Sequence, residues 1–131
     1  MIIGFANGCF DKFHEGHRHF LTSCREHCEY LIVAVNSDEW CRQHKGPDRP
    51  VDDVRTRMMH VRQLAEAAIP FDGYEEGLIV HIRPNFLFRG YDHPIRPERG
   101  TCQVANGIGC AIVKIAHLPG YSTTELIHAA Q

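Results

Sequence analysis

Residues 8 to 21 read Gly-Cys-Phe-Asp-Lys-Phe-His-Glu-Gly-His-Arg-His-Phe-Leu and directly follow a short apolar run. That run, Ile2 to Ala6, predicts a buried parallel strand that ends in a turn at Asn7-Gly8. Apolar residues then recur at three- and four-residue spacing and predict a helix from Glu15 to Cys28. The β-branched run Tyr30 to Val35 predicts a central strand, so the first part of the chain reads as a βαβ unit.

The same alternation continues to the end of the chain. The polar segment Glu39 to Arg49 is expected to be partly loop, and Pro94 to Gly109 to be a loop with at most one helical turn. The other predicted elements are a helix at Val51 to Ala68, a short strand at Ile69 to Phe71, a helix at Tyr74 to Ile82, strands at Phe86 to Phe88 and Cys110 to Ile115, and a last helix opened by Ser122 to Glu125. This pattern predicts one α/β domain over residues 1 to 131, a Rossmann-like, doubly wound, parallel five-stranded sheet with helices on both faces. Such sheets bind ligands at the carboxyl ends of their strands.

The composition narrows the class of protein. A chain of 131 residues with 44% hydrophobic and 23% charged residues is typical of one globular domain. A net charge of -2 gives no footprint for nucleic acid or for a membrane surface. Because no apolar run approaches the roughly 18 residues of a membrane span and no signal peptide is evident, we expect a cytoplasmic protein. The six cysteines contain no C-x-x-C pair and are expected to be reduced thiols.

His14 and His17 lie at the predicted junction of the first strand and helix. Two of ten histidines can fall close together by accident, so the bland alternative is a pair of surface or core residues. The surrounding residues favour a phosphate site, because Gly8 permits a tight turn, Asp11 can bond backbone or ligand, and Gly16 leaves room for a phosphate. The N–H groups of the first helical turn are expected to face the same space.

The motif Gly8-x-Phe10-Asp11-x-x-His14-x-Gly16-His17 resembles the signature of the cytidylyltransferase-like nucleotidyltransferases. Ser122-Thr123-Thr124 resembles the second signature of that family, near its C-terminus. Several further stretches resemble the members that make ADP-heptose from heptose 1-phosphate and ATP. These stretches are Asn7 to Asp11, Leu31 to Asp38, Lys45 to Val51, Arg57-Met58 and Arg83 to Gly90.

The resemblance implies a reaction and a set of site residues. A nucleotidyl group, most simply AMP from ATP, would pass to a phosphorylated sugar such as heptose 1-phosphate, with release of pyrophosphate. The implied catalytic residues are His14 and His17 as donors to phosphate oxygens, Lys45 on a mobile polar loop, and Arg57 on a helix. The implied nucleotide-binding residues are Gly8, Cys9, Phe10, Asp11, Gly16, Arg89, Gly90, Asp92, Tyr121, Ser122, Thr123 and Thr124. Mg²⁺ would come with the triphosphate, without a separate metal site on the protein.

Several alternatives stay open at this stage. The nucleotide is ATP or CTP, and a CTP-dependent enzyme of the glycerol-3-phosphate cytidylyltransferase type is one alternative. A nucleotide-binding protein without catalysis is a second, and for Lys45 and Arg57 an ordinary solvated charge is the bland interpretation. A zinc module could use Cys24, His27, Cys28, Cys41 and His44, although their spacing matches no common zinc motif. The oligomeric state, monomer or homodimer, is also open.

Overall fold

The computed structural model describes residues 1–90, 95–96, 98 and 100–116. Strands and helices alternate in this part of the chain, except that two helices separate the second and third strands. The strands are β1 (Ile3–Gly8), β2 (Tyr30–Asn36), β3 (Ala67–Phe71), β4 (Phe86–Gly90) and β5 (Ala111–Ile115). The helices are α1 (Glu15–Arg25), α2 (Asp38–Lys45), α3 (Val54–Arg62), α4 (Glu75–Ile82) and α5 (Gly100–Gly107).

The five strands form one parallel sheet in the order β3-β2-β1-β4-β5. From β1 the chain moves outward through β2 to β3, and then returns to place β4 on the other side of β1. The strand order therefore reverses between β1 and β4, and in such sheets a crevice opens there at the carboxyl ends. The predicted five-stranded parallel sheet is confirmed.

Alternate strand residues build two cores, one on each face of the sheet. On one face, Leu31, Val33 and Val35 of β2 pack with Leu21 of α1 and Val61 of α3. The opposite core contains Phe5, Ala34, Leu87, Ile79 and Ala105, of which the last two come from α4 and α5. Helices thus cover both faces, as the near-continuous apolar strands require.

Two helices lie where the sequence predicted loop. In α2 the Ser37 hydroxyl accepts a hydrogen bond from the Trp40 backbone N–H at 3.1 Å and caps the helix. Only Cys41 of α2 is buried, so the helix has no apolar face wide enough to predict it from the sequence. Helix α5 is rich in glycine, but Thr101, Cys102 and Ala105 are buried. Their packing outweighs the weak helix propensity.

Two predicted boundaries also move. Helix α3 begins after the Asp53 cap and ends at Arg62, so it is shorter than the predicted Val51 to Ala68. Strand β3 starts at Ala67, earlier than predicted, and tolerates Pro70 because it is an edge strand. Within the described part of the chain, no helix is long and apolar enough to cross a bilayer.

Candidate active site

His14 and His17 cap the N-terminus of α1 and fix each other. Nδ1 of His14 accepts a hydrogen bond from the Gly16 backbone N–H at 3.0 Å. Nδ1 of His17 accepts one from the backbone N–H of His14 at 3.3 Å, and the two rings stack with centroids 3.8 Å apart. Because both Nδ1 atoms are acceptors, each neutral ring carries its proton on Nε2. The donor that each imidazole offers is therefore Nε2–H.

We expected the N–H groups of the first helical turn to face the same space as the two imidazoles, and one of them does not. The N–H of Gly16 is engaged by the His14 ring instead. The positive end of the helix dipole then acts on the imidazoles themselves, and positive potential favours the neutral form of His17.

Aromatic side chains surround His17. Phe10 meets it edge-on with ring centroids 5.5 Å apart, and Phe13 lies on another side at 5.3 Å. Burial and, to a smaller extent, the charge of His14 lower the pKa of His17 to about 3, and the charge of Asp11 opposes part of this change. His17 is therefore a neutral hydrogen-bond donor at physiological pH.

Phe10, which the resemblance assigned to nucleotide binding, lies in the core. It is 6% exposed and belongs to the cluster under α1. Its φ of 55° puts it in the left-handed region, where the chain turns sharply after β1. A Cβ on Gly8 would lie 3.1 Å from the Phe10 ring, so glycine lets that ring pack across the turn.

Asp11 joins the β1–α1 loop to the segment before α3. Its Oδ2 accepts hydrogen bonds from Arg49 Nε at 3.0 Å and the Val51 N–H at 2.8 Å, and its Oδ1 accepts one from the Asp52 N–H at 2.9 Å. The pKa of Asp11 is lowered because these hydrogen bonds and the Arg49 charge outweigh the opposing effect of burial. The carboxylate is 1% exposed, so its interactions hold this loop in place.

Arg57 is a buried brace, and the structure gives its guanidinium no surface from which to grip a phosphate. The side chain is 0% exposed. Nη1 donates to the carbonyl oxygens of Cys9 and Asn36, each at 2.8 Å. Nε donates to the Asp52 carbonyl at 2.9 Å, and Nη2 pairs with the Asp38 carboxylate at 2.6 Å. Arg57 thus ties α3 to the ends of β1 and β2 and to α2.

A cavity of about 570 Å³ opens at the carboxyl ends of the strands. The ends of β1 and β4 line it through Gly8, Cys9, Arg89 and Gly90, so it lies at the crevice where the strand order reverses. The loop that follows Gly8 runs from Cys9 to His14, the cap of α1, and His17 lies in the first turn of that helix. The guanidinium of Arg89 donates through Nη1 to the Asn7 side-chain oxygen, which fixes this cation at the cavity wall.

Lys45 also lines the cavity. It is the last residue of α2, and not part of a loop as expected. Among the described lining residues are three cations, Lys45, Arg89 and Arg96, and one carboxylate, Glu75. This balance suits a polyanionic ligand such as a triphosphate.

Six further residues line the cavity that the sequence did not single out as site residues. They are Asn36, Trp40, Glu75, Arg96, Thr101 and Cys102. Thr101 Oγ1 donates to Glu75 Oε1 at 3.1 Å, and Glu76 Oε1 lies 3.3 Å from the same hydroxyl. For Asn36, the available signal was its place directly after an apolar strand.

Other predicted site residues lie outside the described residues. They are Asp92, Tyr121, Ser122, Thr123 and Thr124. Within the described residues, no group of three or more His, Cys, Asp or Glu side chains is arranged to hold a metal ion. The residues of the alternative zinc module are all described and form no such group.

Comparison with known proteins places this geometry in context. A family model described as cytidylyltransferase-like matches residues 5–129. The bifunctional protein HldE of Bradyrhizobium diazoefficiens is 40% identical over 133 aligned residues, which cover 98% of this chain and 26% of that protein. HldE of Rhodopseudomonas palustris BisA53 is 41% identical, with 98% and 27% covered. The chain thus spans about a quarter of the length of these relatives.

A solved structure agrees with the fold. The lipopolysaccharide core biosynthesis protein from Thermoplasma volcanium GSS1 superposes with a TM-score of 0.78 at 25% sequence identity. The match covers 90% of this chain and 98% of that chain.

Proposed function

Because the chain belongs to the cytidylyltransferase-like family of nucleotidyltransferases, we propose that it transfers AMP from ATP to a phosphorylated sugar such as heptose 1-phosphate. An oxygen of the sugar phosphate attacks the α-phosphorus, and the bond from that phosphorus to the bridging oxygen of the leaving pyrophosphate breaks. Catalysis of such a step consists mainly of positioning and charge stabilisation.

The observation that carries the proposal is the stacked histidine pair at the start of α1, with a neutral His17, directly after the loop that begins at the cavity wall. His14 and His17 would each donate Nε2–H to a phosphate oxygen as charge develops on it. A neutral donor fixed by its Nδ1 bond needs little reorganisation during the reaction. Lys45 would approach the triphosphate as a point charge, with Arg89 and Gly90 beside the nucleotide.

Three other predicted site residues would support the site through structural contacts. Asp11, Phe10 and Arg57 would position the β1–α1 loop through the contacts described above. None of these three needs to touch a substrate in this proposal. Their contribution is to keep the imidazoles and the backbone of Gly8 and Cys9 in place for reaction.

Mg²⁺ would be bound chiefly by the triphosphate oxygens. This ion prefers phosphate and water oxygens with one or two carboxylates over an all-protein cage. When bound, Mg²⁺ would reduce the negative charge that the nucleotide brings into the cavity.

The choice of heptose 1-phosphate rests on similarity and on the cavity lining. The sequence resembles the adenylyltransferases that make ADP-heptose, and the similar solved structure is named for lipopolysaccharide core biosynthesis. Asn36 adds a hydrogen-bonding group suited to a hydroxyl-rich ligand.

Pyrophosphate release by the full chain tests the proposal. Each of ATP, CTP, GTP and UTP is combined with heptose 1-phosphate, a hexose 1-phosphate or glycerol 3-phosphate, with Mg²⁺ present or chelated. Reactions without acceptor measure background hydrolysis. We expect acceptor-dependent release with ATP and heptose 1-phosphate. Preference for CTP and glycerol 3-phosphate would reassign the enzyme, and ATP binding without turnover on any acceptor would favour a non-catalytic protein.

A further inference from the structure

Asn36 holds a buried polar atom that the protein itself leaves unused. The residue ends β2, is 4% exposed and lines the cavity. Among the described residues, its Oδ1 is the buried side-chain oxygen that accepts no hydrogen bond. Burying such an oxygen without a partner costs about 1–3 kcal/mol, so a native unsatisfied group calls for an explanation.

The contacts around Asn36 fix the direction of its amide. Arg57 Nη1 donates to the Asn36 carbonyl oxygen at 2.8 Å and anchors the backbone. Nδ2 of Asn36 donates to Cys9 Sγ, 3.7 Å away, and Cys41 Sγ donates to the same sulfur at 3.2 Å. With Nδ2 directed at Cys9, Oδ1 has no donor from the described residues and can accept a hydrogen bond from a ligand.

An amide oxygen can only accept a hydrogen bond, which restricts its ligand. Phosphate oxygens at neutral pH are themselves acceptors and would be repelled. The matching group is a hydrogen-bond donor such as a hydroxyl, and phosphorylated sugars carry many hydroxyls.

The neighbours of Asn36 place this ligand on one side of the cavity. Trp40 and Lys45 of α2 line the same side, next to β2. The Trp40 ring stacks on His44 with centroids 4.2 Å apart. A Cβ on Gly73 would lie 2.4 Å from the Trp40 ring, so the backbone there approaches it closely and limits its movement. Arg89, Gly90 and Thr101 line the opposite side, at β4 and α5.

Resting on the proposed function, we propose that Asn36 determines acceptor specificity by accepting a hydrogen bond from a hydroxyl of the sugar phosphate. The acceptor then lies along β2 and α2, and the nucleotide along β4 and α5. In-line displacement requires two substrates that meet end to end at the reacting phosphate, and the cavity has one side for each. Lys45 lies on the acceptor side, where it can reach the phosphate groups that the two substrates bring together.

The test compares Asn36→Leu with Asn106→Leu, which replaces an exposed asparagine on α5. Acceptor KM and kcat are measured by pyrophosphate release with heptose 1-phosphate, and ATP affinity is measured separately by calorimetry without acceptor. We expect Asn36→Leu to lower kcat/KM for the acceptor about 10- to 100-fold, as loss of one hydrogen bond to a buried group predicts. ATP affinity should stay within about twofold, and Asn106→Leu should match the wild type.

Monodeoxy analogues of heptose 1-phosphate identify the partner hydroxyl. One analogue should lower kcat/KM in the wild type by the same factor as the substitution, and should be used by Asn36→Leu no worse than the parent sugar. The inference is overturned if Asn36→Leu weakens ATP binding and acceptor use equally, if it discriminates between the analogues as the wild type does, or if it changes neither.

Two measurements keep these outcomes interpretable. Because Asn36→Leu removes an unsatisfied polar atom, its Tm without ligands should equal or exceed that of the wild type. If this variant does not fold, Asn36→Asp retains the acceptor oxygen and should keep the wild-type preference among the analogues; loss of that preference would overturn the inference. Wild-type turnover is measured first: its absence with all acceptors rejects the proposed function, whereas its presence with an indifferent Asn36 rejects only the inference.

Discussion

Replacement of Arg57 by methionine should destabilise the fold strongly, because this side chain connects four parts of the chain. Arg57→Met keeps much of the aliphatic stem but removes every donor. The carbonyl oxygens of Cys9 and Asn36 lose the donors that they have at 2.8 Å. The Asp38 carboxylate loses its cationic partner, although its side chain is 32% exposed and water can replace part of that contact.

The magnitude follows from these losses. The buried Asn36 carbonyl without its donor costs about 1–3 kcal/mol, and the carbonyl of the partly exposed Cys9 costs less because water can replace the donor. Removing one partner of a buried ion pair costs about 3–5 kcal/mol, and the exposure of Asp38 reduces that contribution. We therefore expect the free energy of unfolding to fall by about 3–5 kcal/mol, a large part of the roughly 5–15 kcal/mol that a domain possesses. At about 4 °C per kcal/mol for this size, Tm should drop by roughly 12–20 °C.

Urea and thermal denaturation of the apo protein measure this effect. Arg55→Met, at an exposed site on the same helix, is the matched control and should change stability by less than about 0.5 kcal/mol. Arg57→Lys keeps a charge but not the planar fork and should lie between the two. If Arg57→Met unfolds like Arg55→Met and yet loses affinity for ATP, the guanidinium is a ligand for the nucleotide and the brace interpretation is wrong.

Three further predictions concern protons and thiols. Between pH 6.5 and the folded pKa of about 3, the unfolded state binds a proton at His17 that the folded state does not bind. The free energy of unfolding should therefore fall by about 1.4 kcal/mol per pH unit because of this residue. Urea unfolding of His17→Gln should lack this contribution, and an equal dependence of stability on pH in variant and wild type would contradict the prediction. Asp11→Asn should lower Tm at neutral pH, because its carboxylate has a lowered pKa and stabilises the fold above its unfolded pKa. The difference from the wild type should shrink as pH falls below about 4, because the unfolded carboxylate binds a proton there that the native carboxylate, with its lowered pKa, resists. Cys9 and Cys28 are the partly exposed cysteines, but burial and the Glu66 charge raise the pKa of Cys28. Mass spectrometry should therefore find that iodoacetamide alkylates Cys9 first and that ATP slows this reaction. A rate of Cys9 alkylation that ATP does not change would place the nucleotide elsewhere.

Strong hydrophobic periodicity made the first half of the sheet predictable. The runs that became β1 and β2 are continuous and apolar, and the first helix shows a clear apolar face. Helix α2 buries only Cys41, and α5 carries glycine at both ends, so neither has a pattern that sequence alone could separate from loop. Tertiary packing decided both elements.

The location of the candidate site could be predicted from the sequence, but the roles of its individual residues were harder to predict. Parallel strands bring their carboxyl ends together, so the loop after β1 had to lie at the ligand crevice. The catalytic role predicted for Arg57 followed from its charge and took no account of its position. Val54, Arg57 and Val61 share one helical face by spacing, and the structure buries Arg57 there. Asn36 was missed because a single unsatisfied oxygen is a property of packing, which no local pattern encodes.

The central claim is that the neutral imidazole of His17 stabilises charge that develops during nucleotidyl transfer. The direct measurement is kcat and the dissociation constant for ATP in His17→Ala and in the wild type, at neutral pH with Mg²⁺ and a saturating sugar phosphate. Loss of a donor that acts mainly in the transition state should lower kcat about 10²- to 10³-fold and leave ATP affinity within about threefold. Equal losses in kcat and affinity, or no loss in kcat, would contradict the account.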